Sequence, residues 1–353
     1  MDAKALLSEL VSKGVADIFI ITGKPLSYKR GTAIEQLDDR VLLPADTREI
    51  ITQVYEMADN RSMAAILERG DDDFSFAIKG ISRFRVNTYK QRGTLAAVIR
   101  VVAFDLPDPE VLNIPQSVLD LTELRRGLVL ITGPAGSGKT TTLACLIDRI
   151  NTRRNAHVIT LENPIEFLHR HKEGLISQRE VSIDTESYAT ALRAALRESP
   201  DVILIGELRD PETIAIALTA AETGHLVLST LHTVGAVNTV DRLVDSFRAE
   251  QQTQVRMQLS MVLQSVISQQ LLPTTDGSMV PVFEIMHCNN AIRNLIREGR
   301  THQMSAVINT SVSEGMAGMD SSLLALYKAG KISAQDMLIH ALAPEPLAKQ
   351  AGL

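Results

Sequence analysis

The sequence predicts an α/β protein in two parts, an N-terminal α+β module followed by a larger domain built on a mostly parallel sheet. Three observations carry that expectation. From Gly127 onward apolar, strand-like runs alternate with helix-compatible segments, the pattern of a parallel sheet covered by helices. Ahead of it, Phe74–Ile78 and Phe84–Tyr89 alternate in the manner of half-buried strands. Between the two, Phe104–Pro115 holds Pro107, Pro109 and Pro115 without any periodicity, which marks a linker. The expected boundaries are residues 1–103, 104–115 and 116–353.

Taken in order, Leu6, Leu7, Leu10 and Val11 fall at helical spacing, with Gly14 as the stop. Ala16–Ile21 reads as a strand and Gly23-Lys24-Pro25 as its turn, then a second strand over Leu26–Lys29. A polar loop precedes a helix over Thr47–Asp59, and Leu95–Val102 adds an apolar strand. Asp71–Asp73 reads as a solvated turn, because no further carboxylates follow at metal-ligand spacing. Arg83, Arg85, Arg92 and Arg100 lie on or beside these strands. Two readings stand: edge-strand arginines that prevent pairing with other sheets, or groups that reach a phosphate held by a neighbouring subunit.

The second part opens on Gly127–Thr142, GLVLITGPAGSGKTTT. A strand-like run gives way to Gly133-Pro134-Ala135-Gly136-Ser137-Gly138-Lys139-Thr140-Thr141 and then to a helix, the context that G-x-x-x-x-G-K-[ST] requires. Glycines let the backbone turn its N–H groups inward around phosphate oxygens. Lys139 supplies a charge for the β/γ-phosphates, and the Thr140 hydroxyl suits Mg²⁺. The chain is therefore expected to bind a nucleoside triphosphate.

Further strands carry the rest of the chemistry. His157–Leu161 leads into Glu162-Asn163-Pro164-Ile165-Glu166, carboxylates at the C-terminal end of a strand. A helix over Thr185–Ser199 has Tyr188, Leu192, Ala195 and Leu196 as its buried stripe. Asp201–Ile205 ends in Gly206-Glu207 and reads as a Walker B segment, whose acid holds Mg²⁺ through water or polarises the attacking water. Pro211 starts a helix. A strand from His225 to Thr233 carries His225 and His232 at its ends, read either as fold elements or as sensors of γ-phosphate status. Leu259, Val262, Leu263, Val266, Ile267 and Leu271 suggest one long helix, and Val280–Met286 another strand. Ala291-Ile292-Arg293-Asn294-Leu295-Ile296-Arg297-Glu298 is a short amphipathic helix, and helices over Ser322–Ala329 and Ala334–Ala341 close the chain.

Composition narrows the function classes. The chain has 353 residues, 45% hydrophobic and 22% charged, enough for two or three packed cores. A net charge of −6 and 4% aromatics argue against coating nucleic acid or stacking its bases, so no nucleic-acid partner is expected. Cys145 and Cys288 are isolated, which disfavours a zinc site or disulfide framework. Neither a signal peptide nor an apolar run of membrane-spanning length is visible, so the chain reads as cytoplasmic.

These motifs resemble the type IV pilus retraction ATPases, the PilT family, within the larger group of secretion ATPases. The likeness runs nearly end to end: the phosphate loop, Thr160–Phe167, Ile205–Asp210, Gly224–Leu226 with Leu231–Thr233, and AIRNLIRE at Ala291–Glu298. It implies a PAS-like first domain, a RecA-like second domain and six subunits in a ring, with ATP and Mg²⁺ bound at the phosphate loop between the two domains of one subunit. By position, Glu207 matches the family's catalytic glutamate and Glu162 a catalytic or metal-supporting acid of its acidic box. His225 and His232 match the histidine-box residues, and Arg85 and Arg100 match the arginines that in the family reach γ-phosphate from the neighbouring subunit. AIRNLIRE serves output, through a platform protein at the cytoplasmic face of the membrane. The implied function is pilus retraction, and with it twitching motility. A pilus-extension or type II secretion ATPase and an accessory retraction ATPase are the alternatives within the class, a nucleotide-gated scaffold the alternative outside it. Asn163 stands where the family usually has Asp, which either weakens metal attraction or only changes a hydrogen bond. Phe19 replaces a frequent histidine.

Overall fold

The computed structural model describes residues 2–30, 33–102, 106 and 108–353. They form two compact units, Met1–Asp105 with Glu166–Leu168, and Leu106–Ile165 with His169–Leu353. Of the expected linker, Phe104, Asp105 and Pro107 lie outside the described residues, as does Ala103 at the end of the expected first domain. Further on, Ile114 is buried in the core of the second unit.

The first unit is built on six antiparallel strands: β1 (Asp17–Ile20), β2 (Pro25–Arg30), β3 (Ala33–Val41), β4 (Asp71–Ile78), β5 (Ser82–Gln91) and β6 (Thr94–Val102). Their order is β3-β2-β1-β6-β5-β4. Helices Ala3–Ser12 and Pro44–Met57 supply Leu7, Leu10, Ile51 and Val54 to a core shared with Ile18, Ile20, Phe84, Val86 and Ile99. The expected polar loop after Lys29 is instead β3. It is an outer strand with mostly exposed residues, so it lacks the apolar alternation that would reveal it. The Asp71–Asp73 turn is also corrected. These residues begin β4, and the strand alternation buries Asp72, which receives Arg61 Nη2 at 2.8 Å and the Tyr55 hydroxyl at 3.0 Å. The edge-strand reading of the arginines fails as well, since β5 and β6 are interior strands and Arg85 stands opposite Arg100 in register.

The second unit holds β7 (Gly127–Thr132), β8 (His157–Glu162), β9 (Leu175–Glu180), β10 (Val202–Ile205), β11 (Leu226–Leu231), β12 (Leu263–Pro273) and β13 (Met279–His287). The order is β13-β12-β7-β11-β10-β8-β9, parallel throughout except for β13 against β12. Alternate residues feed opposite faces, as a doubly covered sheet demands. Leu128, Leu130, Ile203, Ile205 and Val227 pack with Leu192 and Leu218 on one side. Val129, Ile131, Val202, Leu204 and Leu228 pack with Leu146 and Ile147 on the other. A separate cluster joins Leu272 and Val282 to Leu323 and Met337 of the helices Met319–Lys328 and Ala334–Ile339; a last helix, Pro344–Ala351, adds Leu347.

Two helices differ from expectation. The Thr185–Ser199 helix is confined to Tyr188–Ala195, capped by the Ser187 side chain. The long helix through Leu271 stops at Val262, and Leu263 begins β12. Apolar residues at 262, 263, 266 and 267 satisfy helical spacing, yet the strand between β7 and β13 is buried on both faces. A short apolar run buried on both faces does not separate helix from strand by periodicity.

Candidate functional site

The parallel strands all present their C-terminal ends at one edge of the sheet, where open α/β folds bind ligands. β7 delivers the glycine-rich loop there, and helix Lys139–Arg153 follows directly. Gly133 has φ 141°, and a β-carbon on it would lie 2.0 Å from the Gln269 carbonyl oxygen, so only glycine lets the loop begin against β12. The Ser137 hydroxyl is buried in the loop with no hydrogen-bond partner among the described residues. An unpartnered buried hydroxyl at the N-terminus of a 15-residue helix fits a polyphosphate chain, which brings the missing partner and suits the helix dipole.

Lys139 is buried at 8% exposure and donates from Nζ to the carbonyls of Gly133 at 2.9 Å and Pro134 at 2.8 Å. Its Nζ also stands 3.5 Å from His232 Nδ1, just past the end of β11. An ammonium can only donate, so that contact makes Nδ1 the acceptor and leaves the ring proton on Nε2. His232 Nε2 in turn lies 3.3 Å from Glu207 Oε1, and Arg209 Nε donates to Glu207 Oε2 at 2.6 Å. One imidazole thus links the phosphate-loop lysine to the acid that follows β10.

Glu162, at the end of β8, is buried and accepts from Thr160 Oγ1 at 2.6 Å and Gln178 Nε2 at 3.1 Å. Gln178 lies on β9, a strand that no recognised motif of the sequence marks as part of the site. Asn163 is exposed. Tyr188 does more than belong to a packing stripe: burial, and then the charges of Glu207 and Glu162, push its phenol up to about 12. Its hydroxyl lies 2.8 Å from where a β-carbon on Gly206 would be, placing it beside both acids. Thr140 and Thr141 are half-buried in the first turn of the loop helix, where a hydroxyl can meet a cation bound to phosphate. Pro134, Ala135 and Gly136 are exposed at the tip of the loop.

Other sequence-predicted residues lie elsewhere. His225 precedes β11, at the opposite edge of the sheet: its Nδ1 is 3.0 Å from the Ala220 carbonyl oxygen, and its own carbonyl accepts from Gly127 at the start of β7. The six residues of β11 separate it from His232 by about 20 Å. His225 is therefore not part of the Lys139–Glu207 cluster. Arg85 and Arg100 lie on the sheet of the first unit. There they line a depression of about 270 Å³ with Asp17, Asp73, Asn87 and Val98, and Arg100 Nε donates to Asp17 Oδ1 at 2.8 Å.

The AIRNLIRE segment forms the helix Asn290–Glu298, opened by the Asn289 side chain and closed by Gly299. Ile292 and Ile296 are buried, and Leu295 is half-buried against the core. Arg293 Nη1 donates to the carbonyls of Ser260 at 2.8 Å and Met261 at 3.0 Å, and Nη2 to Gln264 at 3.2 Å. This arginine caps the C-terminus of helix Ala249–Val262, whose dipole favours a cation there. Ala291, Asn294, Arg297 and Glu298 form the exposed face.

Comparison with known proteins places this geometry. Residues 2–316 match the family described as type II/IV secretion system protein. The type IV pilus retractation ATPase PilT of Pseudomonas aeruginosa is 42% identical over 98% of this chain and 99% of its own. A twitching motility protein of Neisseria gonorrhoeae is 47% identical over 83% of this chain and 79% of its own. PilU, the type IV pilus ATPase of P. aeruginosa, is 37% identical over 97% of this chain and 89% of its own. A crystal structure of the pilus retraction motor PilT with bound ADP superposes with a TM-score of 0.91 at 42% identity, covering 99% of both chains.

Proposed function

The chain belongs to the type II/IV secretion system protein family, on its PilT branch of pilus retraction ATPases, and from that we propose how its site drives retraction. The observation that carries the proposal is His232 standing between Lys139 and Glu207, at 3.5 and 3.3 Å. ATP binds with its phosphates in the Gly133–Thr141 loop. Lys139 leaves the Gly133 and Pro134 carbonyls for the β/γ-phosphates, which draws it from His232 Nδ1. The Nε2 contact to Glu207 then reports whether a γ-phosphate is present. Glu207 accepts a proton from the attacking water, while Glu162, fixed by Thr160 and Gln178, keeps a second negative charge beside it. Magnesium, held by Thr140 and through water by Glu207, would neutralise charge on the phosphates.

Arg85 and Arg100 are proposed to reach the γ-phosphate of a neighbouring subunit, which makes a homohexameric ring of PAS-like and RecA-like domains a condition of turnover. The exposed face of Ala291, Asn294, Arg297 and Glu298 passes the movement to a platform protein at the cytoplasmic face of the membrane. Among the described residues no helix is long and apolar enough to cross a membrane, which fits peripheral docking. His225 takes no part in the chemistry of its own subunit. Matches to type II secretion proteins E reach only 34–37% of this chain, which favours retraction over secretion. Steady-state ATP hydrolysis by the purified protein tests the enzymatic half of the proposal. Turnover that depends on protein concentration, as ring assembly requires, is expected; absence of hydrolysis at any concentration overturns it.

A further inference from the structure

One buried side chain at the phosphate loop has no place in the reaction above. Gln269 lies on β12 at 3% exposure. Its Oε1 accepts from the Thr142 hydroxyl at 2.7 Å, in the first turn of the loop helix. Its Nε2 stands 2.9 Å from where a β-carbon on Gly138 would be, and its carbonyl oxygen 2.0 Å from the same point on Gly133. Three atoms of a single residue therefore meet the first glycine of the loop, its last glycine and the start of its helix. Register holds that residue in place: Gln269 is opposite Phe283 of β13, and its neighbour Ser268 is opposite Thr132, the last residue before the loop.

We propose that Gln269 is a positioning residue for nucleoside triphosphate binding, a clamp that holds the phosphate loop in its ligand-ready curvature before the ligand arrives. The inference rests on the reading of this loop as the ATP site. A loop ordered in advance loses less entropy on binding, so the clamp acts on affinity rather than on the chemical step. The side chain must be an amide. An apolar group of the same length leaves the buried Thr142 hydroxyl unpaired. A carboxylate still accepts from Thr142 but sets a negative charge beside Gly138, where polyphosphate charge is to be held.

The test uses the full chain with Gln269→Glu, Gln269→Met and Thr142→Val, measuring the Kd of ADP by calorimetry and the KM and kcat for ATP. Gln269→Glu is expected to raise Kd and KM by about tenfold or more, with kcat at saturation within about threefold of wild type. Gln269→Met and Thr142→Val should each weaken binding several-fold, and the double variant no further than either alone. If Gln269→Glu does not fold, the Gln269→Met and Thr142→Val pair decides. Unchanged Kd in folded variants, or a fall in kcat at constant KM, overturns the clamp and leaves the ATP site standing. Wild-type protein that binds neither ADP nor ATP overturns the site itself.

Discussion

Glu207 is held from two sides, by Arg209 at 2.6 Å and by His232 at 3.3 Å, so its carboxylate is oriented before any ligand binds. Replacing it by Gln keeps the shape and removes the proton acceptor. Turnover should fall by about 10²–10⁴, with the Kd of ATP nearly constant, in single-turnover and binding measurements. A second residue-scale expectation concerns stability. Burial lowers the pKa of His169 to about 4, against the opposing pull of Asp148, and its Nδ1 is buried with no partner among the described residues. The folded state thus refuses a proton that the unfolded chain takes up near pH 6.5. Between those values the unfolded state binds more protons, so stability falls with acidification through this window. At pH 5 the loss from this group is about 2 kcal/mol relative to pH 7. Denaturant unfolding at the two pH values should show it, and His169→Gln should remove it.

At the scale of elements, the AIRNLIRE helix divides into a held face and a free one. Arg293→Ala removes three hydrogen bonds to helix Ala249–Val262 and Gln264, and should cost about 2 kcal/mol in thermal or denaturant unfolding. Arg297→Ala, on the exposed face, should leave stability within about 0.5 kcal/mol and ATP turnover unchanged, while retraction in cells is lost. Local signals made much of this legible. The phosphate loop, the acids at the end of β8 and after β10, and the stripe of Ile292 and Ile296 are all encoded by neighbours in sequence. What escaped was set by distant partners. β3 is polar because the side chains of this outer strand are mostly exposed, and Asp72 is buried because Arg61 and Tyr55 come to meet it. β12 copies helical spacing because both of its faces are covered. Gln269 reaches the site from a strand far along the chain with no motif around it, and Gln178 from a stretch, residues 174–180, whose likeness to the family carries no role of its own. His225 and His232 look alike in sequence, but a six-residue strand puts them at opposite edges of the sheet.

For the whole molecule, the proposed division of labour assigns the phosphate loop to one subunit and Arg85 and Arg100 to the next. Lys139→Ala and Arg85→Ala/Arg100→Ala proteins should each be inactive alone. Mixed and reassembled, they should recover part of the wild-type ATPase rate, because some interfaces then pair an intact loop with intact arginines. No recovery in mixed rings would place the arginines in the same subunit or outside the reaction. The most direct measurement is made in the cell that carries this protein, with Glu207→Gln replacing the native chain. The expected result is abundant surface pili that extend but do not retract, with twitching abolished. Wild-type retraction, or loss of all surface pili, would contradict a retraction motor driven from this site.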